Sequence, residues 1–516
     1  MKKILLSTLT LWIAINTCLY AGTVNLSDAQ NVAVNFFHVN ANYSVTPTAT
    51  LVYTKTEANN NIDFYIFNMG PTSGFVIVAG DDRVKPILAY STESSFKIGF
   101  NKTGINDWIN QTAGHVSFAV SHNITATPLT QTLWTAYRSG QDPFPQRAGA
   151  VGPLCATTWD QENDITTPPP FIYNLFCPYN SVDSQRTLTG CVATAMGQIM
   201  KYWNYPTQGM GSYSYDDDSA VNQKYSASYG VQSSDFSAHT YAWSLMPNVL
   251  TGSTSGAQDS AVDLLLYDCA VSVGMDFGDD NQNGSGSNSL LVEELAYYSD
   301  SICTQTALVK YFGYDPDTIN GILRSDLYTN ATIYSDSAWV AVLEHEINMG
   351  RPLVYEGTDT NPTTGGGHAW VCDGYQSQTT GLDYLHMNWG WGGYANGFFS
   401  VDNLTTSGPF NPVSYNDALI GIMPMVHTTG VKTVNNDLSF RVFPNPANTQ
   451  VMIQTSEIVN GATWEFKNVV GQSVLSGAIS GMQTPVNVRG LASGIYMVEI
   501  HSGEKSLVKK LVISRY

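Results

Sequence analysis

One cysteine, Cys191, stands between a glycine and an apolar helical pattern. The apolar residues after it recur at helical spacing, and they are Val192, Ala195, Met196, Ile199, Met200 and Trp203. The thiol is therefore predicted at the first turn of a buried helix, where the helix dipole favours the nucleophilic thiolate. A small buried side chain is the alternative, because most cysteines outside disulfides are of that kind.

A thiol nucleophile needs a base, and His368 is placed to act as one. It ends a glycine run and opens an alternating strand pattern that closes at Gly374. Standing alone, it would be read as a structural histidine. Twenty positions later, Asn388 offers an amide to hold the second imidazole nitrogen, and Trp389 offers an indole to shield that bond. Cysteine, histidine and asparagine in this order form a nucleophilic triad.

Three strings of the chain, TGCVATAMGQIMKYWNYP, GGGHAWVCDGY and HMNWGWGGYANGFFSVDNL, resemble the streptopain family of papain-like cysteine proteases. The resemblance covers roughly residues 153–424. It implies Cys191 as nucleophile, His368 as general base and then acid, Asn388 as the residue that orients the imidazole, and Trp389 as its cover. The expected fold is α+β and papain-like, with a helical half bearing Cys191 and a β half bearing His368.

Gln161 is the candidate for a fourth role. The segment Trp159-Asp160-Gln161, thirty residues before the cysteine, resembles the glutamine motif of the family. The resemblance implies that the Gln161 amide and the backbone N–H of Cys191 stabilise the oxyanion, with about 3 kcal/mol per donor. An ordinary surface glutamine remains open.

The first residues predict export. Lys2 and Lys3, an apolar run over residues 4–15 and a small residue at Ala21 are typical of a signal peptide over residues 1–21. A lipoprotein anchored through Cys18 fits less well, because the residues before it match a lipobox poorly. We find no other apolar run long enough to span a bilayer.

Residues 22–150 predict a small α+β domain. A helical pattern covers about residues 27–40, and strand patterns lie at 64–68, 74–82 and 86–91. The segment resembles the inhibitory propeptide of streptopain-type enzymes, which implies a zymogen inhibited by its own propeptide; a domain that only assists folding is the alternative. The polar stretch 141–152 is the predicted maturation site. The protease domain then covers residues 151–426.

The C-terminal residues, 427–516, contain a linker and then short alternating segments with turns about every ten residues, which predicts a small β-sandwich. The segments resemble the C-terminal sorting domain of Bacteroidetes type IX secretion. This implies the type IX secretion machinery as a partner and a cell-surface or secreted enzyme that passes the periplasm and outer membrane. A carbohydrate-binding or adhesive sandwich remains open.

Charge argues against nucleic acid as a partner. The net charge is -19, and the isoelectric point is about 4.7, so phosphates would be repelled. From Val431 onward, however, eight basic residues face five acidic ones, and this shift in charge marks a boundary.

No metal or organic cofactor is expected. The segment beginning at His345 resembles a zincin helix, but Met349 replaces the second histidine and an ordinary helix is predicted. Residues 279–290 begin like a calcium loop, which keeps calcium open as an alternative. Calcium is not the expectation, because Leu290 stands where the bidentate glutamate belongs. Cysteine spacing assigns no disulfides, and Cys372 is expected to be buried.

These observations predict a secreted cysteine endopeptidase that hydrolyses protein or peptide substrates through an acyl-enzyme. Two alternatives use the same residues differently. A scaffold that has lost catalysis would act as an exported binding protein, and an amidase or transglutaminase would use the same thiolate chemistry.

Overall fold

A computed structural model describes residues 22–513 of the 516-residue chain, with gaps. The gaps are 41–45, 57–59, 72–73, 98–102, 145–149, 165–170, 182–183, 218–228, 279–284, 287–301, 325–333, 360–366, 378–382, 402–413, 426–439, 444, 446, 456–460, 469–470, 482 and 503–504. The predicted signal peptide and most of the calcium-like segment lie outside the described residues. The chain divides into two compact units, residues 1–425 and 426–516.

The N-terminal part of the first unit alternates helices with an antiparallel sheet. Its elements are α1 (Leu26–Asn40), β1 (Thr48–Thr56), β2 (Ile62–Gly70), β3 (Phe75–Ala79), β4 (Ile87–Ser91), α2 (Thr103–Ser121) and α3 (Pro128–Arg138). Helix α1 buries Ala29, Val32, Ala33, Phe36 and Phe37, which recur at helical spacing and face the strands. The helix and strands predicted for this segment are confirmed.

The remainder of the first unit begins with short strands and then builds a helical half. Its elements are β5 (Ala150–Val151), β6 (Asn163–Asp164), β7 (Phe171–Ile172), β8 (Tyr179–Asn180), β9 (Gln185–Arg186), α4 (Cys191–Trp203), β10 (Ser212–Asp216), β11 (Val231–Asp235), α5 (Gly256–Ser272) and α6 (Thr304–Phe312). The β half follows with β12 (Asn320–Leu323), α7 (Asp336–Asn348), β13 (Leu353–Asp359), β14 (Gly367–Gln376), β15 (Tyr384–Asn388), β16 (Gly397–Phe399) and β17 (Ser414–Ile420).

One sheet runs through both parts of this unit. Its described strands have the order β1-β2-β3-β4-β16-β15-β14-β13-β17-β12, and β5 pairs with β14. The junction is the antiparallel pair β4–β16, where Tyr90 lies opposite Phe398 and Ala89 opposite Phe399. The segment predicted as propeptide therefore extends the sheet that carries His368.

The first unit has two apolar cores, one shared by the N-terminal segment and the β half and the other in the helical half. The helical core packs α4 against α5 through residues such as Met196, Met200 and Leu266, and it also takes in Ala369 and Val371 of β14. Helix α4 ends at Asn204, which adopts a left-handed conformation with φ 47° and closes the last turn. Because α4 rests on β14, the same core fixes the helix that begins with Cys191 and the strand that carries His368.

Helix α7, which contains the zincin-like segment, is an ordinary helix as predicted. Ser335 caps its first turn, and its Glu346 pairs with Arg351 at 2.6 Å. Among the described residues, no helix has the length and apolarity of a membrane span.

The second unit is a small β-sandwich, as the sequence predicts. Its strands are β18 (Phe440–Phe443), β19 (Gln450–Thr455), β20 (Thr463–Asn468), β21 (Ser473–Ala478), β22 (Gln483–Asn487), β23 (Gly494–Ser502) and β24 (Lys505–Ile513). They form two antiparallel sheets, β18-β19-β22 and β21-β20-β23-β24. Alternate residues such as Ile453, Phe466 and Val498 form one core between the sheets.

Candidate active site

Cys191 is the first residue of helix α4, as predicted, and its side chain is partly exposed. Gly190 before it has φ 92°, a conformation that glycine adopts without strain. A β-carbon at this position would also lie 2.4 Å from the terminal carbon of Met275. Glycine is therefore needed for the turn that presents the thiol at the helix N-terminus.

The five other described cysteines differ from Cys191 in being buried, and none of the six forms a disulfide. Burial raises the pKa of all five thiols, which are those of Cys155, Cys177, Cys269, Cys303 and Cys372. Since the thiolate is the reactive form, this leaves Cys191 as the candidate nucleophile among the described cysteines.

His368 is the second residue of β14, and its side chain is 1% exposed. Its Nε2 atom lies 2.9 Å from the backbone oxygen of Trp389. A carbonyl oxygen only accepts hydrogen bonds, so a neutral His368 carries its proton on Nε2 and the lone pair on Nδ1. This tautomer gives Nδ1 the character of a base.

The His368 ring stacks with two indoles. Trp391 lies parallel to it, with centroids 5.0 Å apart and an interplanar angle of 7°. Trp370 lies 5.8 Å away at 20°, while the predicted cover, Trp389, is more distant at 6.4 Å. Sequence reasoning missed the nearer role of Trp391, although the repeat Trp389-Gly390-Trp391 offered a signal.

Asn388 does not hold the imidazole in the way the sequence predicts. Its Nδ2 donates to the Thr157 oxygen at 2.7 Å and to Gln198 Oε1 at 3.1 Å. Its Oδ1 accepts from the Gly390 N–H at 3.3 Å and from Gln198 Nε2 at 3.4 Å. These bonds fix the turn on either side of Trp389, and the backbone oxygen of Trp389 occupies the position expected of the Asn388 amide.

Gln161 is 2% exposed, so it is not a surface glutamine. Its backbone oxygen accepts from the N–H of Thr189 at 3.0 Å and from the Thr189 hydroxyl at 2.8 Å, which ties it to the turn before Cys191. Its side-chain Nε2 is buried and has no hydrogen-bond partner among the described residues. A buried amide donor without an acceptor, on a segment bonded to the turn before the nucleophile, has the character of an oxyanion donor.

Two contacts bring the glutamine segment and the nucleophile helix to the turn after Asn388. The N–H of Gly392 donates to the oxygen of Trp159 at 3.1 Å. One turn after Cys191, Thr194 packs against Gly390, where a β-carbon would lie 3.1 Å from its methyl group. The turn therefore meets both the segment of Gln161 and the first turn of the helix.

The N-terminal segment reaches the other side of this turn. Ser94 Oγ accepts from the N–H of Ala395 at 2.9 Å, and the Tyr394 hydroxyl donates to the oxygen of Lys97 at 2.6 Å. Glu93 also pairs with His386 at 2.6 Å. Sequence reasoning missed Glu93 and His386, because nothing in the local pattern of either residue indicates the other.

Only one group of possible metal ligands is found among the described residues, and it consists of Glu465, Glu499 and His501. The Lys467 ammonium pairs with both glutamates, so a cation of the protein already occupies this group.

Family models match three parts of the chain. The Peptidase C10 family model matches residues 169–399, the Spi protease inhibitor model residues 21–116, and the secretion system C-terminal sorting domain model residues 441–514. The last match indicates export, to the cell surface or into the medium.

Similar proteins include streptopain of Streptococcus pyogenes, 31% identical over 370 residues, which are 70% of this chain and 81% of streptopain. The thiol protease/hemagglutinin PrtT of Porphyromonas gingivalis is 29% identical over 440 residues, 82% of this chain. The match spans only 44% of the length of PrtT.

Among solved structures, a prointerpain A fragment of Prevotella intermedia is similar, with a TM-score of 0.52 and 26% identity. The match covers 73% of this chain and 99% of the fragment, so the papain-like fold preceded by a pro-segment is shared. On the identity with streptopain and the matching models, the chain belongs to the Peptidase C10 family, as a secreted cysteine endopeptidase made as a zymogen with its own inhibitor segment.

Proposed function

We propose that Cys191 and His368 hydrolyse peptide bonds, with Gln161 as oxyanion donor. The observation that carries this proposal is that Gln161, whose side-chain amide is buried without a partner among the described residues, bonds through its backbone oxygen to Thr189, two residues before the partly exposed Cys191. His368 contributes an oriented imidazole, because its Nε2 is engaged by the Trp389 oxygen.

In the first step, the Cys191 thiolate attacks the scissile carbonyl carbon and a C–S bond forms. The carbonyl π electrons move to oxygen, where the Gln161 amide and the Cys191 backbone N–H stabilise the charge. The C–N bond then breaks as the imidazolium of His368 gives its proton to the leaving amine, which leaves an acyl-enzyme.

In the second step, His368 takes a proton from water, and the resulting hydroxide attacks the acyl carbon. The C–S bond breaks and releases the acyl group as a carboxylic acid, and Cys191 returns as thiolate with a protonated imidazole. No step requires a metal or an organic cofactor. Proteins and peptides are the proposed substrates, because the bond that is broken is a peptide bond.

Asn388 and Trp389 act as a pair in this proposal. Trp389 supplies the backbone oxygen that orients His368, while Asn388 fixes the turn around that oxygen. The roles differ from those of a triad in which the asparagine amide contacts the imidazole itself.

We propose that the N-terminal segment keeps the protease inactive before maturation. Its proposed boundaries are residues 22–150. Its Glu93 and Ser94 contact the strand and the turn that flank Trp389. A cut between residues 141 and 152 would separate it from the protease domain, proposed as 151–426. The sorting domain, proposed as 427–516 with its linker, would route the enzyme through the periplasm and across the outer membrane by type IX secretion.

The test uses the full chain and its matured form, obtained by limited proteolysis, with a thiol-directed epoxide and unfolded casein. We expect matured protein to cleave casein and to be labelled at Cys191 on peptide mass mapping, while Cys191→Ala and His368→Ala abolish cleavage. Labelling of Cys191 should be weak in the full chain.

Two results would contradict the proposal. Casein left intact by matured protein whose Cys191 is not labelled would favour an exported binding scaffold. Consumption of an added amine without new amino termini would favour transfer instead of hydrolysis.

A further inference from the structure

Gln198 is a fully buried amide inside helix α4, seven positions after Cys191 and thus two turns along the helix. Its Oε1 accepts from the backbone N–H of Trp159 at 3.2 Å and from Asn388 Nδ2 at 3.1 Å. Its Nε2 donates to Asn388 Oδ1 at 3.4 Å. The two side-chain amides thus pair head to tail, and a third bond reaches a separate segment.

Each partner of Gln198 stands next to a proposed functional group. Trp159 precedes the oxyanion donor Gln161 by two residues, and its own oxygen accepts from the turn at Gly392. Asn388 directly precedes Trp389, whose oxygen holds the His368 imidazole. Gln198 therefore connects three segments that are far apart in the chain and that carry the nucleophile, the oxyanion donor and the backbone oxygen that orients the base.

We propose that Gln198 is a positioning residue for peptide hydrolysis, which sets the Trp389 oxygen and the Gln161 amide relative to the helix of Cys191. This inference rests on the proposed roles of those residues. Gln198 acts through them and contacts no substrate.

The physical reason is the burial of all three bonds. Gln198, Trp159 and Asn388 are each at most 1% exposed, so water cannot replace a lost partner. Without the Gln198 oxygen, the Trp159 N–H loses its acceptor and Asn388 Nδ2 keeps only the Thr157 oxygen. The segments must then shift to find partners, and a shift of about 1 Å at a catalytic group costs up to about 100-fold in rate.

Gln198→Met tests the proposal, because methionine fills a similar volume without polar atoms. Gln305→Met is the matched control, since Gln305 is also a buried helical glutamine that donates to a backbone oxygen, that of Ile319, at 3.1 Å. Both substitutions remove buried amide bonds, and only Gln198 bonds to the segments of the site.

We expect Gln198→Met to lower kcat by about 10- to 100-fold, because groups that orient catalytic side chains carry effects of this size. KM should change little, because the substrate still meets the same cleft. The rate of Cys191 alkylation should also fall, and its pH profile should move as the imidazole loses its fixed orientation. Gln305→Met should lower thermal stability and leave kcat and the alkylation profile at wild-type values.

Gln198→Glu keeps the proposal testable if the methionine variant fails to fold. Glutamate has the same shape and keeps the two acceptor bonds but loses the donor to Asn388 when it is ionised. Its kcat should lie between those of wild type and Gln198→Met. A folded Gln198→Met variant, or a folded Gln198→Glu variant measured at a pH at which the glutamate is ionised, that keeps the wild-type kcat and alkylation profile would reduce Gln198 to a structural residue and overturn the proposal.

Failure of this inference and failure of the proposed function are distinguishable in the same experiment. Wild-type and Cys191→Ala proteins are the references for the chemistry. If wild type cleaves and Cys191→Ala does not, the function stands, whatever the result for Gln198.

Discussion

The Nε2 atom of His386 lies 2.6 Å from a carboxylate oxygen of Glu93, so a charged hydrogen bond joins the N-terminal segment to strand β15. The Nδ1 atom of the same ring lies 2.6 Å from Asp373. Burial acts to lower the pKa of His386, but the charge and hydrogen bond of Asp373, followed by those of Glu93, raise it to about 10. A buried imidazolium held by two carboxylates thus anchors the segment beside the active site.

Acid should weaken this anchor. Burial acts to raise the pKa of Glu93, but the hydrogen bond and charge of His386 outweigh burial and lower that pKa below 4.5. A lowered carboxyl pKa gives stability that is present above its ordinary value and lost as the pH falls through the lowered one. The raised pKa of His386 gives stability that is fully present below the ordinary value of 6.5 and is lost as the pH rises through about 10. The anchor should therefore be strongest between pH 4.5 and 6.5, weaken as the pH rises toward about 10, and fail in stronger acid.

Glu93→Gln tests the anchor, with epoxide labelling of Cys191 in the uncleaved chain as the measure of opening. We expect faster labelling than in wild type at neutral pH, because the charge that faces His386 is removed. Asp28→Asn is the control, since Asp28 pairs with Arg138 inside the N-terminal segment and should leave labelling unchanged. Equal labelling of Cys191 in Glu93→Gln and wild type at every pH would show that this ion pair does not help to keep the uncleaved chain inactive.

Gln161→Ala should lower kcat by about 100- to 1,000-fold, as expected for the loss of one oxyanion donor. Thermal stability should change little, because the side-chain Nε2 has no hydrogen-bond partner among the described residues that its removal would leave unpaired. The measurements are kcat on a peptide substrate and the melting temperature. A large fall in melting temperature with unchanged kcat would instead identify a structural glutamine.

Trp391→Leu should slow peptide hydrolysis, because the indole that lies parallel to the His368 ring stabilises the imidazolium. The face of an aromatic ring attracts a buried cation by about 1–2 kcal/mol, which corresponds to roughly a tenfold change in rate. Trp391→Phe keeps an aromatic face and should lose less. The measurement is kcat/KM for the matured enzyme, and equal losses in the leucine and phenylalanine variants would show that stacking is not the cause.

Gly190→Ala should reduce both stability and activity. The conformation of Gly190, with φ 92° and ψ 147°, is one that residues with a β-carbon rarely adopt and costs them about 1–3 kcal/mol, and the new methyl would meet Met275. Gly211→Ala is the matched control, because Gly211 has φ 65° with nothing within 4 Å of its added β-carbon. Urea unfolding should report losses in both variants, whereas only Gly190→Ala should lower kcat. Wild-type kcat in a folded Gly190→Ala variant would contradict the role of this turn in placing the thiol.

Local pattern was sufficient for several elements of this chain, although it did not predict α2, α3 or β1. The apolar spacing after Cys191 predicted helix α4, and alternation predicted β14 and the sandwich strands, because both signals arise from side chains within one element. The residue types of the site could likewise be predicted from the sequence, since a thiol, an imidazole and amides are the groups that nucleophilic catalysis by a thiolate needs.

Contacts between segments that are distant in the chain could not be predicted from the sequence. Sequence reasoning assigned the hold on His368 to the Asn388 amide, yet a backbone oxygen at Trp389 makes that contact. Every residue has a backbone oxygen, so no residue type marks the one that is used. The nearer stacking of Trp391 was missed for a related reason, because ring distances depend on the turn that follows β15.

The sequence by itself determined the nucleophile helix, strand β14, the strands of the sandwich and the set of chemical groups, because spacing and residue type are local properties. Only the tertiary structure decided that β4 extends the sheet at β16, that Glu93 meets His386, and that Gln198 joins three segments of the site. These contacts depend on how separate elements pack. Packing brings together residues that are far apart in the chain, and neither their positions nor their types predict the contact.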